Sequence, residues 1–323
     1  MAKNSMKSMS PGEQVLAIQN SMYDQTFERP MKWWLDLGDP LFNQVMGSRE
    51  KGMCGGRTYV LTGPQSSGKT LIAAKIAGLA QQDGAIVAWG DAEESFDPRW
   101  VKIHGLDPGE AIRHNGKIIG YEKIALFLPL YGKLGKTQKF AKGEARVETA
   151  EEYAERMDKW MRLQREIHGP KVKLCVVLDS TTALTTEKDE KAGFLDENMN
   201  TRISAFFINK LTKSWKTLAP HVNAIIVYVS QLRTSPGMFA KEYMPGGRGL
   251  YFHPHVHVKV IRIHKGKVMQ NGVQIGVKSL MINTKNKLGG GSVEGLECGV
   301  QTYFHKDKWR FVESSEFKKK ETE

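Results

Sequence analysis

The chain has 323 residues, 40% of them hydrophobic, and its 47 Lys and Arg against 35 Asp and Glu give a formal charge of +12. That length suits one large domain with its own core, and no apolar run approaches the roughly 18–20 residues of a membrane-spanning helix. Three scattered cysteines, Cys54, Cys175 and Cys298, form no Cys-x-x-Cys pair, so neither a disulfide framework nor a zinc ribbon is expected.

The surplus of cations favours a polyanionic partner, nucleic acid foremost, although a basic surface also serves solubility alone. The N-terminal Met1-Ala-Lys-Asn-Ser-Met-Lys7 lacks the apolar stretch of a signal peptide. A cytoplasmic protein without membrane contact is the expectation.

Residues 1–12 carry no regular pattern. Val15, Ile18, Met22 and Tyr23 recur at helical spacing, so the segment 1–30 is expected to hold a helix that packs on a second copy or on its own core. Residues 31–300 read as the main body and 301–323 as short terminal strands with a basic tail. Within the body, Gly52 and Gly55-Gly56 turn into a first strand at Thr58–Thr62.

The apolar runs Ala85–Trp89, Leu174–Leu178 and Ala224–Val229 suit strands buried on both faces of a largely parallel sheet. Thr149-x-x-Glu152 has the form of a capping box, and Tyr153, Met157, Trp160 and Met161 follow it on one helical face. From His255 the rhythm changes to period 2, in the runs His255–Ile263, Val277–Asn283 and Tyr303–Val312, which predicts antiparallel strands continuing the sheet. The fold class is α/β, a mostly parallel sheet flanked by helices. One stretch breaks the alternation: about 113–145 carries Lys117, Lys123, Lys133, Lys136, Lys139 and Lys142. It reads as a basic insertion, either touching DNA or simply solvated.

The strongest chemical signal is residues 63–70. Gly63, Pro64, Gln65, Ser66, Ser67, Gly68, Lys69 and Thr70 fit G-x-x-x-x-G-K-[ST] between a strand and a helix. Backbone N–H groups and the helix start converge there on an anion. Lys69 is expected to reach the β and γ phosphates of a nucleoside triphosphate, and Thr70 to take one Mg²⁺ position.

Asp179 closes the run Leu174–Leu178 and is the second Mg²⁺ candidate; a strand-end Asp can also merely cap a helix. A base to orient the attacking water is sought in Asp91-Ala-Glu-Glu-Ser-Phe-Asp97, where Glu93 and Glu94 compete on spacing alone. Gln231, at the end of 224–229, is an amide suited to contact the γ phosphate. Beyond it runs a long loop with Arg233, Met238, Phe239, Lys241, Gly246, Gly247 and Arg248. Cations for phosphates with apolar or aromatic groups for bases are the chemistry of single-strand binding. His253, His255 and His257 alternate as on one strand face, but no carboxylate or cysteine joins them, which favours a polar strand face over a metal site.

In this order and spacing the pieces resemble the RecA family of homologous recombinases, over about residues 45–300. The resemblance implies that Glu93 rather than Glu94 is the catalytic glutamate. It implies that Asp97 and Trp100 meet adenine, and that 185–198 and the loop opened by Ser230-Gln-Leu-Arg233 bind DNA. In such filaments the pair matched by Lys285-Asn-Lys287 crosses to the neighbour's ATP. Gln65, Trp100 and Arg248 replace the family's usual Glu, Tyr and Asn, and the 36 residues after Lys287 are too few for the C-terminal domain and acidic tail of bacterial forms. The expectation is therefore a compact, phage-encoded branch.

What the resemblance implies is an ATP- and Mg²⁺-dependent, DNA-stimulated ATPase. It forms a homo-oligomeric helical filament on single-stranded DNA with ATP at subunit interfaces, pairs it with double-stranded DNA, and exchanges strands. Two other readings keep the same core: a hexameric motor or helicase, and a non-enzymatic single-strand-binding recombination mediator. The Lys285/Lys287 pair argues against the motor, which commonly supplies an arginine. Glu93 and Asp179 argue against the mediator.

Overall fold

Short apolar runs separated by helices fold here into a nine-stranded central sheet. The computed structural model describes residues 33–114, 116–133, 145–187, 197–234, 242–245, 248–288 and 295–318. The expected N-terminal helix and the chain's last five residues lie outside them.

In chain order the elements begin with β1 (Trp34–Leu35), α1 (Pro40–Met46), β2 (Met53–Cys54), β3 (Arg57–Gly63), α2 (Lys69–Gln82), β4 (Ile86–Asp91) and α3 (Pro98–Ile103). Five short strands follow: β5 (Ala111–His114), β6 (Lys117–Tyr121), β7 (Ile124–Phe127), β8 (Tyr131–Lys133) and β9 (Ala145–Val147). Next come α4 (Ala150–His168), β10 (Leu174–Asp179), α5 (Glu197–His221), β11 (Ala224–Gln231), β12 (Arg233–Thr234), β13 (Glu242–Tyr243) and α6 (Gly249–Phe252). The chain closes with β14 (Val256–Gln270), β15 (Val273–Asn286), β16 (Glu297–Tyr303), β17 (Lys306–Glu313) and α7 (Ser314–Lys318).

The sheet order is β17-β16-β15-β14-β3-β11-β10-β4-β7. The six strands from β14 to β7 are parallel, and β15, β16 and β17 add on antiparallel. Both faces of the parallel part are covered, which is why its strands read as continuous apolar runs rather than alternations. Tyr59 and Leu61 of β3 join a core cluster with Ile72 and Ile76 of α2. Val60 points the other way, into a cluster with Tyr153, Met157 and Met161 of α4 and Trp215 of α5. The capping box forms with both arms: Glu152 N donates to Thr149 Oγ1, and Thr149 N donates to a Glu152 carboxylate oxygen at 3.1 Å.

Three sequence expectations are modified. The run Tyr303–Val312 is not one strand: β16 ends at Tyr303, and β17 folds back from Lys306. The stretch 113–145 is more than an excursion, since its β7 pairs with β4 and forms one edge of the central sheet. Residues 134–144, with three of its lysines, lie outside the described residues. The alternating histidines do not share a strand face either. His253 follows α6 and meets Asn209 Oδ1 at 2.8 Å, His255 Nδ1 lies 3.2 Å from Thr58 N, and His257 is buried in β14. No group of metal-binding side chains is found among the described residues.

The buried imidazoles set an acid limit on stability. His104 is buried edge-on between Trp100 and Trp309, and neither ring nitrogen has a hydrogen-bond partner. Burial pushes its pKa down to about 4, and burial pushes His257 to about 4 and His255 to about 3. Below the ordinary value near 6.5 the unfolded chain takes up protons that the folded chain refuses. Their contribution is therefore complete above pH 6.5 and is lost as pH falls toward 4. Thermal unfolding followed by circular dichroism is expected to show the melting temperature falling between pH 7.5 and pH 5. The fall should be smaller in His104→Leu; an equal fall in the variant would assign the acid sensitivity elsewhere.

Candidate nucleotide-binding and catalytic site

The site is built at the edge where the parallel strands end. Gly63 closes β3 against its neighbour: a Cβ there would lie 2.0 Å from the Val260 carbonyl oxygen of β14, so only glycine fits. Gly68 precedes α2 at φ +94, a left-handed conformation that glycine adopts without steric cost. Between them the loop bends so that the first turn of α2, beginning at Lys69, opens onto a cavity of about 610 Å³. Lys69 is 6% exposed, and its Nζ donates to the Pro64 carbonyl at 2.7 Å. Burial lowers its pKa, opposed by the Asp179 and Glu93 carboxylates.

Adjacent strand ends supply the acids. The register pairs Asp179 of β10 with Asp91 of β4, and Gln231 of β11 with Gly63. Asp179 is 2% exposed and hydrogen-bonds Thr70. Burial pushes its pKa up to about 6, against the Thr70 bond. Asp91 shapes the following turn, its carboxylate accepting from Ser95 N at 3.1 Å and Phe96 N at 2.8 Å. Within that turn Glu94 adopts φ +53, while Glu93 lines the cavity. Glu93 Oε1 accepts from Ser180 Oγ at 2.5 Å and from Gln231 Nε2 at 3.1 Å.

These groups fit a magnesium–triphosphate ion. A buried ammonium and a buried carboxylate each lack full counter-charge, and the α2 N-terminus faces the same space. Thr70 and Asp179, already in contact, are the residues to hold the metal, which would neutralise phosphate charge there.

The far side of the cavity is formed by Arg262, Gln274, Val277 and Phe304, which the motifs did not reveal. They arrive with β14, β15 and the turn after β16, roughly 200 positions beyond the phosphate loop. The contact is direct: Ser279 Oγ donates to the Ser67 carbonyl at 2.7 Å.

The structure does not bring Asp97 and Trp100 into this cavity. Asp97 caps α3, accepting from Arg99 N at 2.8 Å and Trp100 N at 3.3 Å, and Trp100 packs against the core and His104. Arg233 pairs through β12 with β13, and Arg248 begins α6; both are exposed. Met238, Phe239, Lys241, Gly246 and Gly247 lie outside the described residues.

Lys285 and Lys287 sit at the opposite edge of the sheet. Lys285 is paired with His257, and Lys287 N donates to the His255 carbonyl. Along the β14 chain those partners are three and five residues, roughly 10 and 16 Å, from Val260 beside the phosphate loop. Lys285 Nζ donates to the carbonyls of Tyr251, Phe252 and Pro254 at 2.8–3.0 Å. Lys287 is exposed.

Fold and site together define an α/β phosphate-loop core consistent with the RecA type: a mostly parallel sheet with antiparallel strands added at its C-terminal end. Residues 38–113 match the family model described as the RecA N-terminal domain. The chain is similar to "Protein RecA" of Lactococcus lactis subsp. cremoris (strain MG1363), 28% identical over 243 residues, 72% of this chain and 51% of that one. It is 29% identical over 241 residues to that of Clostridioides difficile (strain 630), covering 73% and 57%, and 28% identical over 235 residues to that of Aquifex aeolicus (strain VF5), covering 72% and 56%. The chain thus spans little more than half the length of the curated relatives it matches. These matches bear out the RecA-family resemblance carried by the motifs. No described helix is long and apolar enough to cross a membrane.

Proposed function

We propose that the chain is an ATP-dependent DNA recombinase. It assembles head to tail into a helical filament on single-stranded DNA, pairs that strand with homologous duplex, and exchanges strands. The observation that carries this reading is the division of labour between the two sheet edges. One edge gathers the phosphate loop, Asp179, Glu93 and Gln231; the other presents Lys285 and Lys287. A heterologous contact that joins unlike edges repeats without needing to close.

In this mechanism Lys69 and the loop N–H groups bind and orient the triphosphate of ATP, and Thr70 and Asp179 hold Mg²⁺. Glu93 takes a proton from the water that attacks the γ phosphorus; the bond to the β-phosphate oxygen breaks, giving ADP and phosphate. Lys285 and Lys287 of the adjoining subunit stabilise the charge that develops. Gln231 couples the γ phosphate to the loop that follows it, and Arg233, Met238, Phe239, Lys241, Gly246, Gly247 and Arg248 contact DNA. Asp97 and Trp100 are retained as the adenine contacts, to be reached from their present packing when the neighbouring subunit closes the site. Such a protein works in the cytoplasm, that of a host if it is phage-encoded.

The test is phosphate release with and without single-stranded DNA, beside electron microscopy of the complexes. DNA-stimulated release with helical filaments is expected. DNA-independent turnover overturns the reading, and closed rings favour a hexameric motor.

A further inference from the structure

Glu93 is held from two strands at once. Its Oε1 accepts from Ser180, the first residue after β10, at 2.5 Å, and from Gln231, the last residue of β11, at 3.1 Å. Ser180 is fully buried, and its hydroxyl is itself paired with Thr182 Oγ1 at 2.9 Å. The four side chains therefore form a short relay, Thr182–Ser180–Glu93–Gln231, across the ends of three neighbouring strands, β10, β4 and β11. Gln231 already has an assignment in the proposed mechanism; Ser180 and Thr182 have none.

A carboxylate oxygen that accepts two hydrogen bonds is fixed in place, with its lone pairs already engaged when a water molecule approaches. The bond from Ser180 is the shorter of the two and comes from a buried group, where a hydrogen bond to a charged acceptor is costly to break.

We propose that Ser180 is a positioning residue that restrains Glu93: its hydroxyl, steadied by Thr182, holds the carboxylate in a resting arrangement and keeps hydrolysis slow until the ends of β10 and β11 move. This inference rests on the proposed role of Glu93 as the base. It assigns the coupling between DNA and hydrolysis to both strand ends rather than to Gln231 alone. The chain leaving β10 runs toward 185–198, which the family resemblance implies binds DNA and of which 188–196 lie outside the described residues, and the chain leaving β11 enters the loop proposed above to contact DNA. A displacement of either strand end pulls one donor away from Glu93.

The test is steady-state ATP hydrolysis by the full chain, with and without single-stranded DNA, for wild type, Ser180→Ala and Thr182→Ala. In Ser180→Ala the DNA-free kcat should rise about tenfold, the scale of one hydrogen bond to a charged group, with KM for ATP unchanged. The DNA-saturated rate should stay near wild type, so the stimulation ratio falls by the same factor. Thr182→Ala, which leaves the buried serine in place, should move kcat the same way by a smaller factor, and it keeps the inference testable if Ser180→Ala folds poorly. A DNA-free kcat that falls or stays the same in both variants overturns the restraint. If wild type hydrolyses ATP without any response to DNA, the recombinase reading fails instead, and the DNA-free kcat of the variants still decides the role of Ser180.

Discussion

A one-to-one mixture of Lys69→Ala and Lys287→Ala subunits is expected to hydrolyse ATP although each variant alone is nearly inactive. Each single variant should fall roughly a hundredfold or more below wild type, since a charge supplied across an interface to transferring phosphate is worth at least that much. In random head-to-tail order about one interface in four joins an intact phosphate loop to an intact Lys287. The mixture should therefore recover about a quarter of the wild-type rate per subunit. Lys287 is the better choice for this experiment than Lys285. Lys285 Nζ holds the carbonyls of Tyr251, Phe252 and Pro254, so its loss also disturbs α6. A mixture as inactive as its components would mean that each subunit hydrolyses ATP with its own groups, and the shared site would be wrong.

Glu93→Gln is expected to bind ATP and DNA as wild type does but to turn over about 10²–10⁴ times more slowly, the usual contribution of a positioned general base. The amide keeps the size of the side chain and an oxygen to accept from Ser180 and Gln231, so the fold around the turn 91–96 is preserved. What is lost is the ability to take the proton. Single-turnover hydrolysis measured beside binding of a fluorescent nucleotide separates the two. Glu94→Gln is the control: Glu94 sits at φ +53 in the turn and does not line the cavity, and it should keep most of the activity. Equal losses in both variants would remove Glu93 from its role.

The parts of this site that were legible in the sequence are local. Gly63 to Thr70 carries its own signal, because its residue types recur at fixed spacing within eight positions, although the contact that demands Gly63 comes from Val260 of β14. Asp179, Glu93 and Gln231 were legible one step further out. Each follows a buried apolar run, and parallel strands bring such ends to one edge. The rest depended on distant pairing. Arg262 and Phe304 reach the cavity only because β14 lies beside β3, a neighbour about 200 residues away, and nothing near either residue announces that.

Ser180 and Thr182 lay in plain view after Asp179, yet a hydroxyl's partner is invisible until two strand ends meet. Asp97 and Trp100 show the converse. The pair Asp97-Pro98 is a strong helix-start signal, and in the structure that local capping occupies the carboxylate. The turn between β16 and β17 was missed because Tyr303-Phe304-His305-Lys306 contains no Gly, Pro, Asn or Asp to mark it.

The unlike edges of the sheet have a consequence for a row of such subunits. If every complete site takes its phosphate loop from one subunit and its lysines from the next, a row of any length has one fewer site than subunits. The subunit at one end keeps an open pocket with no lysines over it and holds its ATP unhydrolysed. The subunit at the other end leaves Lys285 and Lys287 with no neighbour's pocket to complete, its own pocket already covered. The two ends of the row are then chemically different places, one capped by intact nucleotide and one governed by hydrolysis behind it. Growth and loss of subunits should differ between them, giving the row a direction fixed by the parallel run of six strands within each subunit.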